Sequence, residues 1–441
     1  MKRKLLLVNP VNPVRTGLTV NEGSRFPPIG LGIVAALTPA HWDVALVDEN
    51  WAPFHYQEAD LVGITAFTAS ANRAYEIAAV YRSRGVPVVM GGIHASMCTE
   101  EALRYVDAVV VGEAEAAWPQ VIADAEAGRL QPVYRGDWPG LEGLPWPRRD
   151  LFHPEYRFAS VQTSRGCPMD CEFCSVTAFN GRRYRRRPPE EVLDELETIP
   201  QKMLFFVDDN LIGYGQESRA QALALFRGMV QRKLDKLWFC QASLNFADDE
   251  EVLHWAARAG CKMVFLGLEA EEVDALAEVN KRPNLRRGVE SYGEAFHRIH
   301  RAGIAVLGAF IFGLDGDTPE KLHDRTEYMI RNGVDVMQTT YLTPLPGTRL
   351  FDRLQQEGRL LYAEFPKDWD RYDMTEVVHR PGGMAPADLA EGVRRSNQRM
   401  YCRSVLLRKA LRTLWATHDG TAMMFAWNSN LNYRNVALSR Q

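Results

Sequence analysis

Three cysteines stand close together in Thr163-Ser164-Arg165-Gly166-Cys167-Pro168-Met169-Asp170-Cys171-Glu172-Phe173-Cys174, at a C-x3-C-x2-C spacing. Three thiolates on one loop can hold a soft metal or an iron–sulfur cluster. A structural zinc site is usually closed by four protein ligands. Here the nearest histidines are His153 and His254, so no fourth ligand lies beside the motif. A [4Fe–4S] cluster on three cysteines keeps one iron open for an outside ligand. A redox-active thiol set, or a zinc site completed from elsewhere, stays open on spacing alone. The chain has seven cysteines in 441 residues, too few for a disulfide scaffold.

The elements around the cysteines decide what they can do. From Phe158 onward, six strand candidates alternate with helices: Phe158–Thr163, Met203–Val207, Trp238–Ala242, Met263–Leu268, Ala305–Phe312 and Val336–Leu342. This pattern predicts parallel strands joined by right-handed crossovers. Six units are too few for a closed eight-stranded barrel, so an open partial (β/α)6 barrel is expected. The cysteine loop then lies at the carboxyl end of its first strand. The basic run from Arg182 to Arg187 reads mainly as a solvated face before the helix at Pro189.

Residues 1–135 form an earlier α/β series. Short apolar runs at Lys4–Val8, Val44–Val47, Leu61–Thr65, Val86–Met90 and Ala108–Val111 alternate with helix-like stretches. Such runs fit a parallel sheet covered on both faces. Strand ends at Thr65, Gly91-Gly92 and Gly112-Glu113 are small or polar, which suits a flat cofactor at a sheet edge. The same glycines could also serve turns alone. Residues 136–157 are rich in Pro, Gly and Trp and read as a linker, with Trp138 and Trp146 packed on a neighbour. Residues 158–349 hold the barrel. Residues 350–441 read as a helical C-terminal region over one end of it.

Composition sets the outer limits. The chain is 46% apolar and 24% charged, as an ordinary globular protein is. Lys and Arg total 52 against 56 Asp and Glu, which gives no footprint for general nucleic-acid binding. No stretch approaches the roughly 20 apolar residues that span a bilayer, and no export signal is evident. A cytoplasmic protein is expected.

The cysteine motif at the end of the first strand of a six-unit barrel resembles the radical S-adenosylmethionine (radical SAM) superfamily. The resemblance implies a [4Fe–4S] cluster on Cys167, Cys171 and Cys174. Its open iron would bind S-adenosylmethionine and cleave it to a 5′-deoxyadenosyl radical. Phe173 then falls near the adenine. Asp208, Asp209 and Asn210 follow strand two, and Gln241 ends strand three. Glu269 ends strand four, near the ribose. Gly308, Ile311 and Gly313 belong to the strand-five segment that lies against adenine. An external electron donor such as flavodoxin or ferredoxin is implied. The whole order of parts is similar to the cobalamin-binding radical SAM enzymes, on Phe26-Pro27-Pro28-Ile29-Gly30-Leu31, Gly91-Gly92-Ile93-His94-Ala95 and Val111-Gly112-Glu113-Ala114-Glu115. That resemblance implies a Rossmann-like (flavodoxin-like) cobalamin-binding domain, with Thr65, Gly91, Gly92, His94, Gly112 and Glu113 at the cofactor. His94 is expected to hydrogen-bond the cofactor's periphery or the backbone. The D-x-H-x-x-G motif, whose His binds cobalt from below, is absent.

The leading expectation is cobalamin-dependent methylation of an unactivated carbon in a small-molecule, lipid or tetrapyrrole substrate. A cyclase or rearrangement enzyme without methyl transfer is the alternative, and an iron–sulfur or corrinoid binding or redox protein is the non-enzyme reading. No catalytic residue is assigned. Cys240 and Tyr341 point toward the right region for a hydrogen donor.

Overall fold

A computed structural model describes residues 2–14 and 21–438. The chain forms two compact units. One takes in Met1–Tyr156, Ser175–Gly181 and Pro344–Asp373, and the other Arg157–Cys174, Arg182–Thr343 and Met374–Gln441. No helix among the described residues is long and apolar enough to cross a membrane.

The first unit is built on β1 (Arg3–Asn9), β2 (Trp42–Asp48), β3 (Leu61–Thr65), β4 (Val88–Gly91), β5 (Ala108–Gly112) and β6 (Val133–Gly136). The order is β2-β1-β3-β4-β5-β6, every pair parallel. This is the flavodoxin-like order, in which ligands sit at the carboxyl ends beside the switch between β1 and β3. Leu5, Leu6, Leu7 and Val8 are all buried because both faces of the sheet are covered. Leu5, Leu7, Leu61, Val89 and Val110 share one core with the helices Ile29–Leu37 and Ala114–Glu126. The other face takes the helix Ala71–Arg82. β6 was not foreseen. Its four residues end at Gly136, where the sequence turns rich in Gly, Pro and Trp. Trp138 is half-exposed, with its indole donating to the Phe179 carbonyl at 3.0 Å.

The second unit contains β7 (Phe158–Val161), a two-residue pair β8 (Ser164–Arg165) and β9 (Arg185–Arg186), then β10 (Met203–Phe206), β11 (Leu237–Ala242), β12 (Cys261–Glu269), β13 (Ala305–Phe312) and β14 (Val336–Tyr341). Six of them form one sheet in chain order, β14-β13-β12-β11-β10-β7, all parallel. This is the expected open (β/α)6 partial barrel.

Strand alternation gives the barrel two faces. Phe206, Trp238 and Cys240 lie on the face that the crossover helices cover, and Phe226 stacks on Trp238 there at 5.3 Å. Cys240 is fully buried on that outer side, so it does not face the barrel interior as expected of a hydrogen donor. The inner face carries Phe158, Phe205, Phe239 and Met263 near the strand starts. A helix the sequence did not announce, Gly420–Leu438, closes this end. Its Ala422 and Ala426 pack on Met263, Ala305, Leu307 and Val336. Phe425 meets Phe158 edge-on at 6.1 Å, and Asn430 donates to the Asp335 carbonyl at 2.9 Å. The strand starts are thus sealed, and the functional side chains gather at the strand ends.

Candidate active site

The cysteine loop leaves β7 through a pinned neck. Ser164 and Arg165 pair antiparallel with Arg186 and Arg185. Fully buried Asp208, just past β10, ties that neck to the sheet. Its carboxylate accepts from the Thr163 amide at 3.1 Å, the Thr163 hydroxyl at 2.7 Å and the Ser164 hydroxyl at 2.5 Å. Burial pushes the Asp208 carboxyl up, and these donors pull against it. Asp208 is therefore a positioning residue for the loop. Replacing it with Ala strands several buried donors. Asp208→Ala is expected to cost about 2–3 kcal/mol, read as a lower melting temperature, and to loosen the loop.

The basic run is not a solvated face. Arg185 and Arg187 are buried, and Arg187 pairs with Glu195 at 2.5 Å and donates to the Gln162 carbonyl at 3.0 Å. The Arg186 guanidinium lies 4.1 Å from the Tyr184 ring centre. Tyr184 in turn donates to the Asn210 carbonyl. Arg182 and Arg183 are exposed as expected, with Arg182 3.5 Å from Asp170. Arg186 and Arg187 frame the loop, the first against a ring and the second between a carboxylate and a carbonyl.

Cys167, Cys171 and Cys174 are free and half-buried. Backbone contacts hold their loop: Glu172 donates to the Val279 carbonyl at 3.1 Å, and the Asn280 side chain donates to the Asp170 carbonyl at 2.5 Å. Burial pushes the Cys167 and Cys171 thiols up. Beside them lies a pair. The Lys281 ammonium sits 2.5 Å from Glu269 Oε1. Burial alone would lower the Lys281 pKa, but Glu269 and then Cys171 outweigh it and raise it. Glu269 has φ +65°, in the left-handed region, just past an irregularity in the pairing of β12 with β13. Such strain at a non-glycine residue clusters at functional sites. Gly267 makes room for the pair, since a Cβ there would stand 2.5 Å from Glu269 Oε1 and 2.9 Å from Lys281 Nζ.

The other expected residues divide into facing and framing groups. Asp209 is close enough to Cys167 for its charge to act on that thiol. Phe173 is half-buried directly before Cys174. Asn210 is buried, and its side chain donates to the Ser243 hydroxyl at 3.2 Å. The Gln241 carbonyl accepts from the Leu211 amide at 2.9 Å. Gly308 lies within β13, where a Cβ would meet Leu268 at 2.9 Å, so it serves packing. The Ile311 carbonyl accepts from fully buried Arg325 at 2.7 Å. The Gly313 amide donates to Asp317 at 2.9 Å.

Sequence reasoning missed Lys281 and a buried ionic knot. Arg325 pairs with Asp317 at 2.9 Å and with Glu271 at 2.8 Å. Asp317 two residues before Pro319 is a helix-start signal that could have pointed to it.

Three free thiols on one pinned loop, with a cation and a carboxylate alongside, fit an iron–sulfur cluster with one open iron. Among the described residues no three His, Cys, Asp or Glu side chains are set for a single metal ion. A cluster takes one thiolate on each of three irons, so it needs no common point.

The first unit has its own cradle. Gly92, with φ +90°, ends β4 against β3, where a Cβ would stand 2.6 Å from Thr65 Oγ1 and 3.1 Å from the Ala66 amide nitrogen. Gly91 O accepts from that amide at 3.3 Å. Gly112, with φ +82°, lies where a Cβ would meet the Gly136 carbonyl at 2.8 Å, and its amide donates to Ser96 at 3.0 Å. Glu113 is buried beside it. This bare backbone at the strand ends suits close approach by a cofactor.

His94 follows the glycine turn at the end of β4. It is fully buried, with Nε2 3.1 Å from the Tyr75 hydroxyl and 3.3 Å from Glu101, and Trp369 edge-on at 5.5 Å. These Nε2 partners are side chains, while Nδ1 is buried with no hydrogen-bond partner among the described residues. The cradle rests on the glycines.

Comparison with known proteins matches two families along the chain. The B12 binding domain family matches residues 15–122, and the Radical SAM superfamily matches residues 161–329. Bacteriochlorophyllide d C-12(1)-methyltransferase of Chlorobaculum tepidum is 28% identical over 430 residues, covering 92% of this chain and 89% of that one. Hopanoid C-2 methylase of Rhodopseudomonas palustris is 31% identical over 355 residues, 77% of this chain and 66% of that one. The solved structure of the radical S-adenosylmethionine methyltransferase TsrM from Kitasatospora setae, with cobalamin and a [4Fe–4S] cluster bound, shares the fold at TM-score 0.71 over 100% of both chains, at 18% identity. The chain belongs to the radical SAM enzymes that carry a B12-binding domain ahead of the barrel.

Proposed function

We propose that this protein is a cobalamin-dependent methyltransferase that acts on an unactivated carbon of an apolar small molecule, a tetrapyrrole or a polycyclic lipid. The observation that carries this is one chain holding two donor sets, the three-thiol loop beside Glu269 and Lys281 and the glycine cradle at Thr65, Gly92 and Gly112. Relatives named as methyltransferases of a bacteriochlorophyllide and of hopanoids give the substrate class.

When bound, the cluster with S-adenosylmethionine supplies hydrogen abstraction, and the corrinoid supplies the methyl group. The chain's own residues bind and orient. Cys167, Cys171 and Cys174 would hold the cluster and leave one iron open to S-adenosylmethionine. Asp209 and Asn210 would serve its amino group, and Glu269, held by Lys281, its ribose. Phe173 and the backbone from Gly308 through Ile311 to Gly313 would line its adenine. Asp208 keeps the loop in register. Sealing of the strand starts by the Gly420–Leu438 helix excludes water from that end. The protein works in the cytoplasm, with a flavodoxin- or ferredoxin-type electron donor.

The test is the product ratio after anaerobic reconstitution with an extract of the apolar fraction. Methyl transfer yields S-adenosylhomocysteine together with 5′-deoxyadenosine. Deoxyadenosine with no S-adenosylhomocysteine would overturn it and leave cyclisation or rearrangement. The cradle is checked separately. Gly92→Val forces a β-branched side chain into φ +90° and onto Thr65, so corrinoid retained per chain is expected to fall at least tenfold while iron content stays as in the wild type.

A further inference from the structure

One helix of the second unit, Arg403–Thr417, has a buried inner face and an apolar outer one. Its inner face is fully used. Val405 and Leu406 are buried, Lys409 donates to the Met329 carbonyl at 2.5 Å, and Thr413 donates to Asp335 at 2.6 Å. Its outer face carries Leu407, Leu411, Leu414 and Trp415, all exposed, with Leu411 at 61% and Trp415 at 77%. Their spacing of four, three and one places them in one stripe.

The stripe has charged borders. At 3.6 residues per turn, Arg403 falls on one side of it and Arg408 and Arg412 on the other. All three are exposed, and the helix contains no acidic residue. Arg403 and Arg408 form no ion pair among the described residues. Exposed single leucines are ordinary, but a Leu-Leu-Leu-Trp stripe rimmed by unpaired cations marks a docking surface.

We infer that the Arg403–Thr417 helix docks the protein on an anionic lipid surface, with Leu407, Leu411, Leu414 and Trp415 entering the boundary between headgroups and acyl chains and Arg403 and Arg408 meeting lipid phosphates. Charge selects this occupant. A second copy set against the same stripe by two-fold symmetry brings arginine borders against arginine borders, with no carboxylate on either helix to answer them. A surface of phosphates answers both borders at once, and Trp at the stripe's end suits the interface. The docking does not depend on which reaction the core performs.

The test is co-flotation of the full-length protein with vesicles of phosphatidylglycerol and phosphatidylcholine, against vesicles of phosphatidylcholine alone. The wild type should float with the anionic vesicles and much less with the neutral ones. The double variant L411S/W415S should lose at least tenfold in partition, with an unchanged or higher melting temperature, because both side chains are exposed. R403Q/R408Q should lose the preference for phosphatidylglycerol. Three results would overturn the inference: no flotation of the wild type with anionic vesicles, equal flotation of L411S/W415S, or a wild-type dimer in solution that L411S/W415S makes monomeric.

Discussion

Cys171→Ala is expected to cut bound iron from about four atoms per chain to under one and to lower S-adenosylmethionine cleavage at least 10³-fold. The cluster has three protein ligands on one short loop, and two thiolates do not retain it. The fold should survive. Asp208, Thr163 and the buried arginines hold the neck of the loop, and none of these contacts passes through the cysteine side chain. The melting temperature of the apoprotein should therefore match that of the wild-type apoprotein. Iron and sulfide analysis with a melting curve on the same sample checks both halves. Retention of four irons by the variant would remove Cys171 from the ligand set.

Arg325→Met is expected to be the most damaging change away from the cysteines. The guanidinium is fully buried and meets Asp317 at 2.9 and 3.0 Å, Glu271 at 2.8 Å and the Ile311 carbonyl at 2.7 Å. Burial alone would lower the Arg325 pKa, but Asp317 and Glu271 more than reverse this. Removing the cation leaves two carboxylates buried without a counter-charge. Breaking a buried pair from one side costs about 3–5 kcal/mol, on the order of a 10 °C fall in melting temperature. The double variant R325M/D317N should lose less than the sum of the single losses, because the amide strands no charge. The effect should also reach the site. Asp317 accepts from the Gly313 and Leu314 amides, so the turn at the end of β13 loses its anchor. A raised KM for S-adenosylmethionine is the readout for that half, and an unchanged KM would confine the knot to stability.

Much of this was legible from local patterns. Continuous apolar runs such as Leu5–Val8 and Ala305–Phe312 mark buried parallel strands because no polar residue interrupts them. The C-x3-C-x2-C loop is legible because metal ligation demands both residue type and spacing. Elements whose reason lies far away in the chain were not. Gly420–Leu438 places small and polar residues, Ala422, Ala426 and Asn430, toward a curved sheet, so its inward face does not read as an apolar stripe. β6 is only four residues long and exists because the edge of β5 was free to pair. Arg185 and Arg187 look like solvent residues until Glu195 and the Gln162 carbonyl are brought to them. Lys281 acquires its meaning from Glu269, twelve positions earlier, through a backbone kink that no propensity announces.

The helix that seals the strand starts also sets a timetable. A ribosome makes the cysteine loop and all six barrel strands before it makes Gly420–Leu438, and domains fold in the order in which they emerge. Until that helix arrives, Phe158, Phe205 and Phe239 face open water at one end of the nascent barrel. The cysteine loop at the opposite end, and the Asp208 that tethers it in the finished fold, have by then both been made. The cysteine loop is thus in place along the chain before the opposite end of the barrel is covered, and the Gly420–Leu438 helix then closes the hydrophobic interior at the strand starts.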